Sequence, residues 1–284
     1  MSNARIWVFA VDHGFFAFVR APNGKKLVMD CGRKSDFSPT RYVYHRELTD
    51  EGRSAAYPVD EFVVSHPHDD HIEDIDEFVK LLPPRLLRRQ RYNWPEIETS
   101  SDVDYPNLHR YAGWQQTYTQ RAEEPDWGGM SVEYFYVGVE RAKELGGDFI
   151  NNSSYVVVAT IGTFKIVFPG DLETQGWKEL LASDGFRTAI RNPSVFVASH
   201  HGHDCGYVPE VFEVMGRPVF NLISCPSGDE SVCRAYFDPE RAEGQHFDGK
   251  QQYAFRTSKY GSCLFDVAPS GQCKFEFVDL GRNL

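Results

Sequence analysis

Ser65-His66-Pro67-His68-Asp69-Asp70-His71 is the stretch of this chain that decides its fold. It places three imidazoles and two carboxylates directly after the apolar run Phe62-Val63-Val64. Imidazole nitrogen and carboxylate oxygen are the ligands that suit zinc, iron and manganese. A loop after a strand can turn His66 and His68 to one side, while Asp70 and His71 on the first turn of a helix face a neighbouring point. The pattern predicts two adjacent metal positions, and the alternative, a polar loop whose histidines cap the helix, fits this spacing poorly.

Short β-rich runs alternate with helical patterns on both sides of this stretch. Residues 6–11, 15–19 and 27–29, separated by turn residues, predict a three-stranded meander. After Pro67, apolar residues at helical spacing predict one helix that Pro83-Pro84 ends. Strands, helix, strands and helix indicate two αβ halves of a single domain spanning residues 1–284. Further strands are predicted at 132–137, 155–160, 164–168, 195–198, 219–224, 263–267 and 275–278, with helices at 177–181 and 208–215.

The stretch from about 85 to 131 is polar and rich in aromatic residues. We interpret it as an insertion or lid, because long segments of this kind are commonly functional loops. Buried aromatic side chains that anchor an irregular excursion are an equal alternative. The segment opens with a basic run that could hold a phosphate, although a solvated helix end is the simpler interpretation. The run consists of Arg85, Arg88, Arg89 and Arg91.

Composition limits the classes of protein to consider. The chain has 284 residues, 41% of them hydrophobic, and a formal net charge of −11 at pH 7. Such a chain can bury a large core, and its acidic field disfavours long duplex nucleic acid as a routine partner. The six cysteines form no C-x-x-C pair, and the chain shows neither a signal peptide nor a membrane-spanning run. We therefore expect a cytoplasmic protein without a membrane partner, of undetermined oligomeric state.

The pattern His66-x-His68-x-Asp70-His71 resembles the signature of the metallo-β-lactamase superfamily. This resemblance implies an α+β fold, the four-layer αββα sandwich of that superfamily, with a metal site at one edge. Two further elements of the family pattern follow in order, each at the end of an apolar strand. Residues 165–171 end on Asp171, which in the family bridges two metals, and residues 195–202 end on His200-His201-Gly202. Three matches in this order are far more specific than any one of them.

Within the superfamily, the chain is most similar to the hydrolase domain of ComEC-type DNA-uptake proteins and their free-standing relatives. The membrane channel of those proteins has no counterpart in this sequence, so the resemblance does not imply DNA transport. Departures occur at His13-Gly14-Phe15, where those proteins carry Gln-Gly-Asp, and at His203, where they usually carry Ser. The likeness rests on Val11-Asp12-His13-Gly14, Asn152-x-Ser154, His200-His201-Gly202 and Arg256-Thr257-Ser258-Lys259-Tyr260-Gly261.

The resemblance also implies roles for individual residues. His66 and His68 would hold the first ion, Asp70, His71 and either His200 or His201 the second, and Asp171 would bridge them. Many family members have another histidine where this chain has Asn151 or Asn152, so the first ion would have three protein ligands or bind weakly. Catalytic assistance is expected from Asp70 and from whichever of His201 and His203 stays outside the coordination. Residues expected to support the ligands from behind are Asp30, His13, Asn151 and Asn152.

The implied activity is hydrolysis by a metal-bound hydroxide, with one or two Zn²⁺ or Mn²⁺ ions. A nucleotide or another small phosphodiester is the expected substrate, because the closest family members resemble phosphodiesterases. A lactonase or amidase would use an apolar pocket instead. A metal-binding sensor or interaction protein without catalysis is a third interpretation. The candidate phosphate contacts are Arg88, Arg89 and Lys259.

Overall fold

The structure is a computed structural model that describes residues 2–95, 97, 106–120 and 122–280. Residues 96, 98–105 and 121 of the expected insertion lie outside this part of the chain. The strands are β1 (Ala4–Val8), β2 (Ala17–Arg20), β3 (Lys26–Met29), β4 (Val59–Val63), β5 (Pro84–Arg88), β6 (Met130–Phe135), β7 (Val156–Ile161), β8 (Phe164–Phe168), β9 (Val195–Val197), β10 (Phe220–Ile223), β11 (Gln245–Phe247), β12 (Lys250–Gln252), β13 (Ala254–Arg256), β14 (Ser262–Val267) and β15 (Cys273–Val278).

Helices connect these strands, and most of them are short. A π-helix (Val43–Glu47) continues the first α-helix, and 3₁₀ turns occur at His200–Gly202, Asp204–Gly206 and Arg234–Phe237. Among the described residues, no helix has both the length and the apolar character needed to cross a membrane. The α-helices are α1 (Pro39–Tyr42), α2 (Asp50–Ser54), α3 (Asp69–Ile72), α4 (Ile75–Leu81), α5 (Pro106–Gln115), α6 (Val139–Leu145), α7 (Phe149–Asn152), α8 (Thr174–Leu181), α9 (Asp184–Ala189), α10 (Pro209–Met215) and α11 (Thr257–Tyr260).

Two mixed sheets form the centre of the described chain. The first has the strand order β15-β14-β1-β2-β3-β4-β5, in which β3, β4 and β5 run parallel. The second has the order β13-β10-β9-β8-β7-β6, in which β8, β9, β10 and β13 run parallel. Strands β11 and β12 form a separate hairpin.

Alternating side chains on these strands separate three apolar cores. Ile6 of β1 and Val157 of β7 belong to the core between the sheets. Trp7, the next residue of β1, packs instead in an outer core with residues of α4 and α5. On the far side, Val158 packs with residues of α8, α9 and α10. The layers are therefore helix, sheet, sheet and helix, and the predicted α+β class with its αββα sandwich is confirmed.

The helix predicted after Pro67 is split into α3 and α4. The backbone of Cys31 causes the break, because its N–H donates to the carbonyl of His71 at 2.8 Å and its carbonyl accepts from Asp74 N–H at 2.8 Å. The carbonyl of His71 and the N–H of Asp74 are therefore not available for the backbone hydrogen bonds of a continuous helix. The tip of the first sheet thus fixes the short helix that carries Asp70 and His71.

The expected insertion does not begin at residue 85. Residues 84–88 are strand β5, which pairs in parallel with β4. Leu86 and Leu87 are buried there, and Pro84 stands at the first position of the strand, where its missing N–H is tolerated. The interpretation of the arginine run as a solvated helix end is therefore wrong, because Arg85 and Arg88 belong to this strand.

Candidate metal centre

Three loops meet where strands of the two sheets end. The loop after β4 carries Ser65 to His68, the loop after β8 carries Asp171, and the turn after β9 carries His200 and His201. Ser65 ties the sheets together, since its carbonyl accepts the N–H of Tyr155 at 3.0 Å. Gly170 permits the close approach, because a Cβ at this residue, with φ of 60°, would lie 2.9 Å from Cβ of Ser65.

Asp171 is the centre of this cluster, and four histidines direct Nε2 toward its carboxylate. Its Oδ2 lies 3.1 Å from Nε2 of His201 and 3.9 Å from Nε2 of both His66 and His200. Its Oδ1 lies 3.2 Å from Nε2 of His71. The Asp171 carboxylate is only 4% exposed. The structure therefore brings the ends of β4, β8 and β9 together around one carboxylate.

The histidines after β4 are held from behind by Asp30 and Ser65. Asp30 Oδ2 lies 2.7 Å from Nδ1 of His71 and accepts the Ser65 hydroxyl at 2.6 Å. Asp30 Oδ1 accepts the backbone N–H of Ser65 at 2.6 Å. The same hydroxyl lies 3.1 Å from Nδ1 of His66. Ligating histidines use the second ring nitrogen in this way, which fixes the ring and directs Nε2 at the metal.

The two histidines after β9 show the same arrangement. His201 Nδ1 lies 3.2 Å from the carbonyl of Ser224, and His200 Nδ1 lies 3.3 Å from Oε1 of Glu173. Both histidines have left-handed backbone conformations, with φ of 49° at His200 and 54° at His201. Non-glycine residues adopt this conformation at a cost, and such strain is concentrated at functional sites.

Asp70 and His68 complete the cluster. Asp70 Oδ2 lies 3.2 Å from Nε2 of His201 and 3.9 Å from Nε2 of His71. The ring of His68 turns Nδ1, and not Nε2, toward the cluster. Its Nδ1 lies 3.1 Å from Nε2 of His66. Its Nε2 lies 3.8 Å from Asp148 Oδ2. His68 therefore reaches the cluster from its half-exposed rim.

The electrostatics of the cluster are those of a buried ionic network. Burial alone would raise the pKa of Asp171, but His201 and His71 hold it well below its usual range. Burial opposes the charged form of His201, yet Asp171 and Asp70 raise the pKa of this histidine to about 9. Burial and the neighbouring His71 place the pKa of His66 well below its usual value. Protons on His71 and His201 thus balance carboxylate charge that a divalent cation can balance equally well.

The residues present fit a metal ion. Nε2 of His71 and Nε2 of His201 are buried and lie 3.2 and 3.1 Å from oxygens of Asp171 without forming a hydrogen bond of normal geometry, although buried polar atoms are normally satisfied. Donor atoms of His66, His71 and Asp171 lie within 4.8 Å of one another, as do those of Asp70, His71 and His201. Nitrogen and carboxylate oxygen donors of this kind suit zinc, manganese or iron.

The asparagines that occupy the place of another family histidine make different contacts. Asn152 is fully buried, and its Oδ1 accepts the N–H of Gly176 at 2.8 Å. Its side chain therefore holds backbone in place. Asn151 donates from Nδ2 to Glu173 Oε1 at 3.2 Å, and its buried Oδ1 has no hydrogen-bond partner. Asn151 thus contacts the carboxylate of Glu173, which in turn contacts His200.

His13 and His203 stand at the mouth of the site. The ring of His13 lies 6.4 Å from that of His201 between centroids, and the side chain is exposed. His203 Nε2 lies 3.2 Å from Asp229 Oδ2. Burial would raise the pKa of Asp229, but hydrogen bonds from Ser231 and His203 lower it to about 2. Asp229 is therefore an ionised partner that orients His203.

The structure does not bring the three candidate phosphate contacts to this site. Arg88 donates to Glu61 and Glu124, and Arg89 donates to the side chain and backbone of Gln115. Both arginines line a separate cavity of about 480 Å³. Lys259 is exposed and lines a further cavity beside Thr257–Tyr260.

The sequence patterns did not single out Glu173, Asp148 or Asp229. Glu173 carried a usable signal, because it lies two residues after Asp171 on the same turn. Asp148 and Asp229 carried none, since each comes from a loop that reaches the site only through the fold. Their contacts with His68 and His203 depend on tertiary packing alone.

A cavity of about 850 Å³ opens over the cluster. Its walls combine acidic residues beside the histidines with an apolar side. Neither lysine nor arginine is among the described residues that line it. The acidic residues are Asp69, Asp70, Glu73, Asp148 and Asp171, and the apolar side is formed by Ile97, Leu108, Phe149 and Ile150.

No family model matches this chain, and no curated protein matches it. Among solved structures, the metallo-β-lactamase fold protein YhfI from Bacillus subtilis is similar, with 14% identity, a TM-score of 0.46 and coverage of 97% of this chain and 100% of that one. Igni18, a metallo hydrolase from Ignicoccus hospitalis, shows 11% identity, a TM-score of 0.45 and the same coverage. A diphosphatase from the PhnP family shows 12% identity and a TM-score of 0.41, over 81% of this chain and 93% of that one. Because these values are low, the description of the fold rests on the sheets and cores of this chain.

Proposed function

We propose that this chain is a metal-dependent hydrolase of the metallo-β-lactamase superfamily that cleaves a small phosphodiester. The observation that carries the proposal is the convergence of four histidine Nε2 atoms on Asp171, with Asp70 on the same cluster. Two of these Nε2 atoms are buried without a hydrogen bond of normal geometry.

Each residue of the cluster has a proposed role. Asp70, His71 and His201 would hold one divalent ion and His66 with His68 the other, while Asp171 contacts histidines of both groups. Bound divalent ions supply an activated water molecule and stabilise negative charge on oxygen. His203, whose Nε2 contacts Asp229, lines the cavity and would hydrogen-bond the leaving-group oxygen through Nδ1. His201 is surrounded by Asp70 and Asp171, which favours a ligand role over a catalytic acid role.

The charges of the cavity favour a phosphodiester over other phosphate compounds. The described lining has no fixed cation, so only the bound ions and the histidines would meet substrate charge. A diester carries one negative charge on its phosphate, whereas a monoester or an oligonucleotide carries more and is repelled more strongly by the acidic walls.

A lactone or an amide is the second candidate substrate. The apolar side of the cavity, which includes Leu108 and Phe149, supports this alternative because such walls bind uncharged acyl groups. The two candidates differ in the group attacked, phosphorus or a carbonyl carbon. They are therefore distinguished by a direct comparison of substrates.

The decisive experiment combines metal analysis with hydrolysis assays on the full chain. We expect up to two Zn²⁺ or Mn²⁺ per chain and hydrolysis of bis(p-nitrophenyl) phosphate well above that of p-nitrophenyl phosphate or a simple lactone. Asp171→Asn should abolish turnover while the protein stays folded, and Asp36→Asn, an exposed carboxylate, serves as the matched control. A metal-free protein without turnover under any ion would contradict the proposal and favour a non-catalytic protein.

A further inference from the structure

We propose that His200 and His201 bind different metal ions and that Glu173 positions His200 for this purpose. The family pattern leaves open which of these two consecutive histidines is the ligand. The inference deepens the proposed function and rests on it, because it requires the ions that the hydrolase would use.

The backbone of this turn separates the two rings. With φ of 49° and 54°, both residues lie in the left-handed region, which non-glycine residues adopt only at an energetic cost. The ring planes are 82° apart and the centroids 6.0 Å apart. Hydrogen bonds hold the turn in place, from His200 N–H to the Gly170 carbonyl at 3.2 Å and from Ser199 Oγ to the Leu172 carbonyl at 2.6 Å. Two neighbouring imidazoles thus approach Asp171 from different directions.

His201 belongs to the group on the Asp70 side. Its Nε2 lies 3.2 Å from Asp70 Oδ2 and 3.1 Å from Asp171 Oδ2. Donor atoms of Asp70, His71 and His201 all lie within 4.8 Å of one another. The ring is only 6% exposed, and Nε2 forms no hydrogen bond of normal geometry. These contacts assign His201 to the ion that Asp70 and His71 would hold.

His200 lies outside that group, although its Nε2 also faces Asp171. Its Nε2 lies 3.9 Å from Asp171 Oδ2, the same separation that Nε2 of His66 shows from this atom. The ion on the His66 side lacks a further histidine, because Asn152 is engaged with backbone. His200 is the remaining imidazole whose Nε2 points to Asp171, so we assign it to this ion.

The carboxylate of Glu173 contacts Nδ1 of His200, just as the carboxylate of Asp30 contacts Nδ1 of His71. Oε1 of Glu173 lies 3.3 Å from Nδ1 of His200 and accepts the Asn151 side-chain amide at 3.2 Å. A carboxylate in this position keeps the proton on Nδ1 and leaves the lone pair on Nε2 for a metal. Glu173 is therefore a positioning residue that acts through His200.

A separate metal site that includes Glu173 and His200 is the competing arrangement. Cys205 Sγ lies 3.2 Å from Nδ1 of His200, and donor atoms of Glu173, His200 and Cys205 lie within 4.8 Å of one another. These three side chains could hold an ion of their own, which would then bind Nδ1 of His200. The two arrangements therefore differ in which ring nitrogen is the ligand.

Histidine side-chain NMR of the zinc-loaded full chain tests this difference without any substitution in the site. Long-range ¹H–¹⁵N spectra report which ring nitrogen carries a proton and which binds metal, and the signals of His200 are assigned by their loss in His200→Gln. We expect zinc on Nε2 and a proton on Nδ1 of His200. Zinc on Nδ1, or a ring without metal, would overturn the proposal.

Metal titration of variants tests it independently. Against a chromophoric chelator, we expect two zinc ions for the parent chain and one each for His200→Ala and His201→Ala. Glu173→Gln should weaken only the ion that His200→Ala loses, by about 10- to 100-fold. Cys205→Ala should keep both ions, and the cobalt-loaded parent should show no thiolate charge-transfer band.

The outcomes separate this inference from the proposed function. A parent chain that binds no ion would remove both. A parent chain that binds two ions and hydrolyses phosphodiesters, while His200→Ala keeps both at full affinity, would overturn this inference alone. A cobalt–thiolate band that disappears in Cys205→Ala would instead establish the Cys-His-Glu site.

Discussion

Asp30 acts on the candidate metal centre without facing the cavity. It is fully buried, and its carboxylate accepts three hydrogen bonds, two from Ser65 and one from His71. We expect Asp30→Asn to weaken zinc binding by about 10- to 100-fold. The amide of asparagine cannot accept all three hydrogen bonds, so it holds the ring of His71 less firmly. The left-handed backbone of Asp30, with φ of 55°, is tolerated by asparagine, so the change tests the carboxylate itself.

Competition with a chelator measures this effect, and urea unfolding of the metal-free protein measures the structural part. The free energy of unfolding should fall by about 1–3 kcal/mol, the cost of a buried group left without its partner. Asp36→Asn, at an exposed residue, should change neither quantity. Unchanged zinc affinity in Asp30→Asn would show that the contact with His71 does not support the site.

Arg88 has a structural partner in the buried carboxylate of Glu61. Glu61 is 0% exposed and also accepts the Tyr134 hydroxyl at 2.9 Å. Burial raises the pKa of Glu61, and Arg88 limits this rise. We expect Arg88→Met to lower the free energy of unfolding by about 3–5 kcal/mol near neutral pH, because it leaves a buried charge unpaired.

The pH dependence of this loss has a definite sign. Without Arg88, the folded-state pKa of Glu61 should rise further above its unfolded value. The loss is then absent where Glu61 is protonated in both states, and it grows as the pH rises through the unfolded and then the folded pKa. Urea unfolding at about pH 4 and about pH 7 measures the difference. Glu124→Gln removes the exposed partner of Arg88. It should lower the free energy of unfolding by less than about 1 kcal/mol at both pH values.

At the scale of elements, the turn between β1 and β2 supports α3 through Gly14. This residue has φ of 90°, and a Cβ there would lie 1.9 Å from the carbonyl oxygen of Asp70. Gly24 in the next turn has φ of 85°, but its Cβ would meet nothing within 4 Å. Gly24→Ala therefore isolates the cost of the backbone conformation.

We expect Gly14→Ala to lower the free energy of unfolding by roughly 1–3 kcal/mol more than Gly24→Ala, because the added methyl group must displace the turn or α3. Since α3 carries Asp70 and His71, the same change should also weaken zinc binding. Urea unfolding and chelator competition measure the two effects. Equal losses in both variants would mean that the contact with Asp70 is not part of the support.

Elements whose apolar runs are continuous were predictable from the sequence. The runs before Ser65, Asp171 and His200 gave β4, β8 and β9, and helical spacing gave α10. Strand β5 was not predictable, because proline and arginine dominate it and only Leu86 and Leu87 are apolar. The break between α3 and α4 was not predictable either, since it depends on backbone hydrogen bonds from Cys31 on the neighbouring sheet.

The residues of the candidate site were predictable where a local pattern announces them. The structure brings His66, His68 and Asp171 in loops after strands together with Asp70 and His71 on the following helix α3, as the sequence pattern predicts. The directions of the rings of His200 and His201 could not be predicted, because they follow from two consecutive left-handed residues. Asp148 and Asp229 reach their histidines only through the folded chain.

At the scale of the whole molecule, the cluster joins the two sheets. His66 and His71 follow β4 of the first sheet, whereas Asp171 and His201 follow strands of the second. Metal bound at 100 times its dissociation constant should add about 2.7 kcal/mol to the free energy of unfolding. For a chain of this size, each 1 kcal/mol corresponds to roughly 2–4 °C in Tm.

We therefore expect a chelator to lower the Tm of the metal-loaded protein by several degrees, as measured by calorimetry. Asp171→Asn should show little or no dependence of Tm on chelator, because it removes the carboxylate between the two groups of histidines. A loaded protein whose Tm does not respond to chelation would indicate that the ions do not connect the two sheets.

The pairing of β1 with β14 has a consequence for the way this chain folds. Ala4 lies opposite Val267, so the first sheet cannot close until Val267 has left the ribosome. Strands β1 to β5 of this sheet and β6 to β10 of the other are each contributed by one continuous stretch of the chain. Since contacts between distant residues slow folding, we expect these two five-stranded parts to form during synthesis and β13, β14 and β15 to join them last. The N-terminal strand would meanwhile wait with a free edge, which makes this interval the one in which a chaperone matters most.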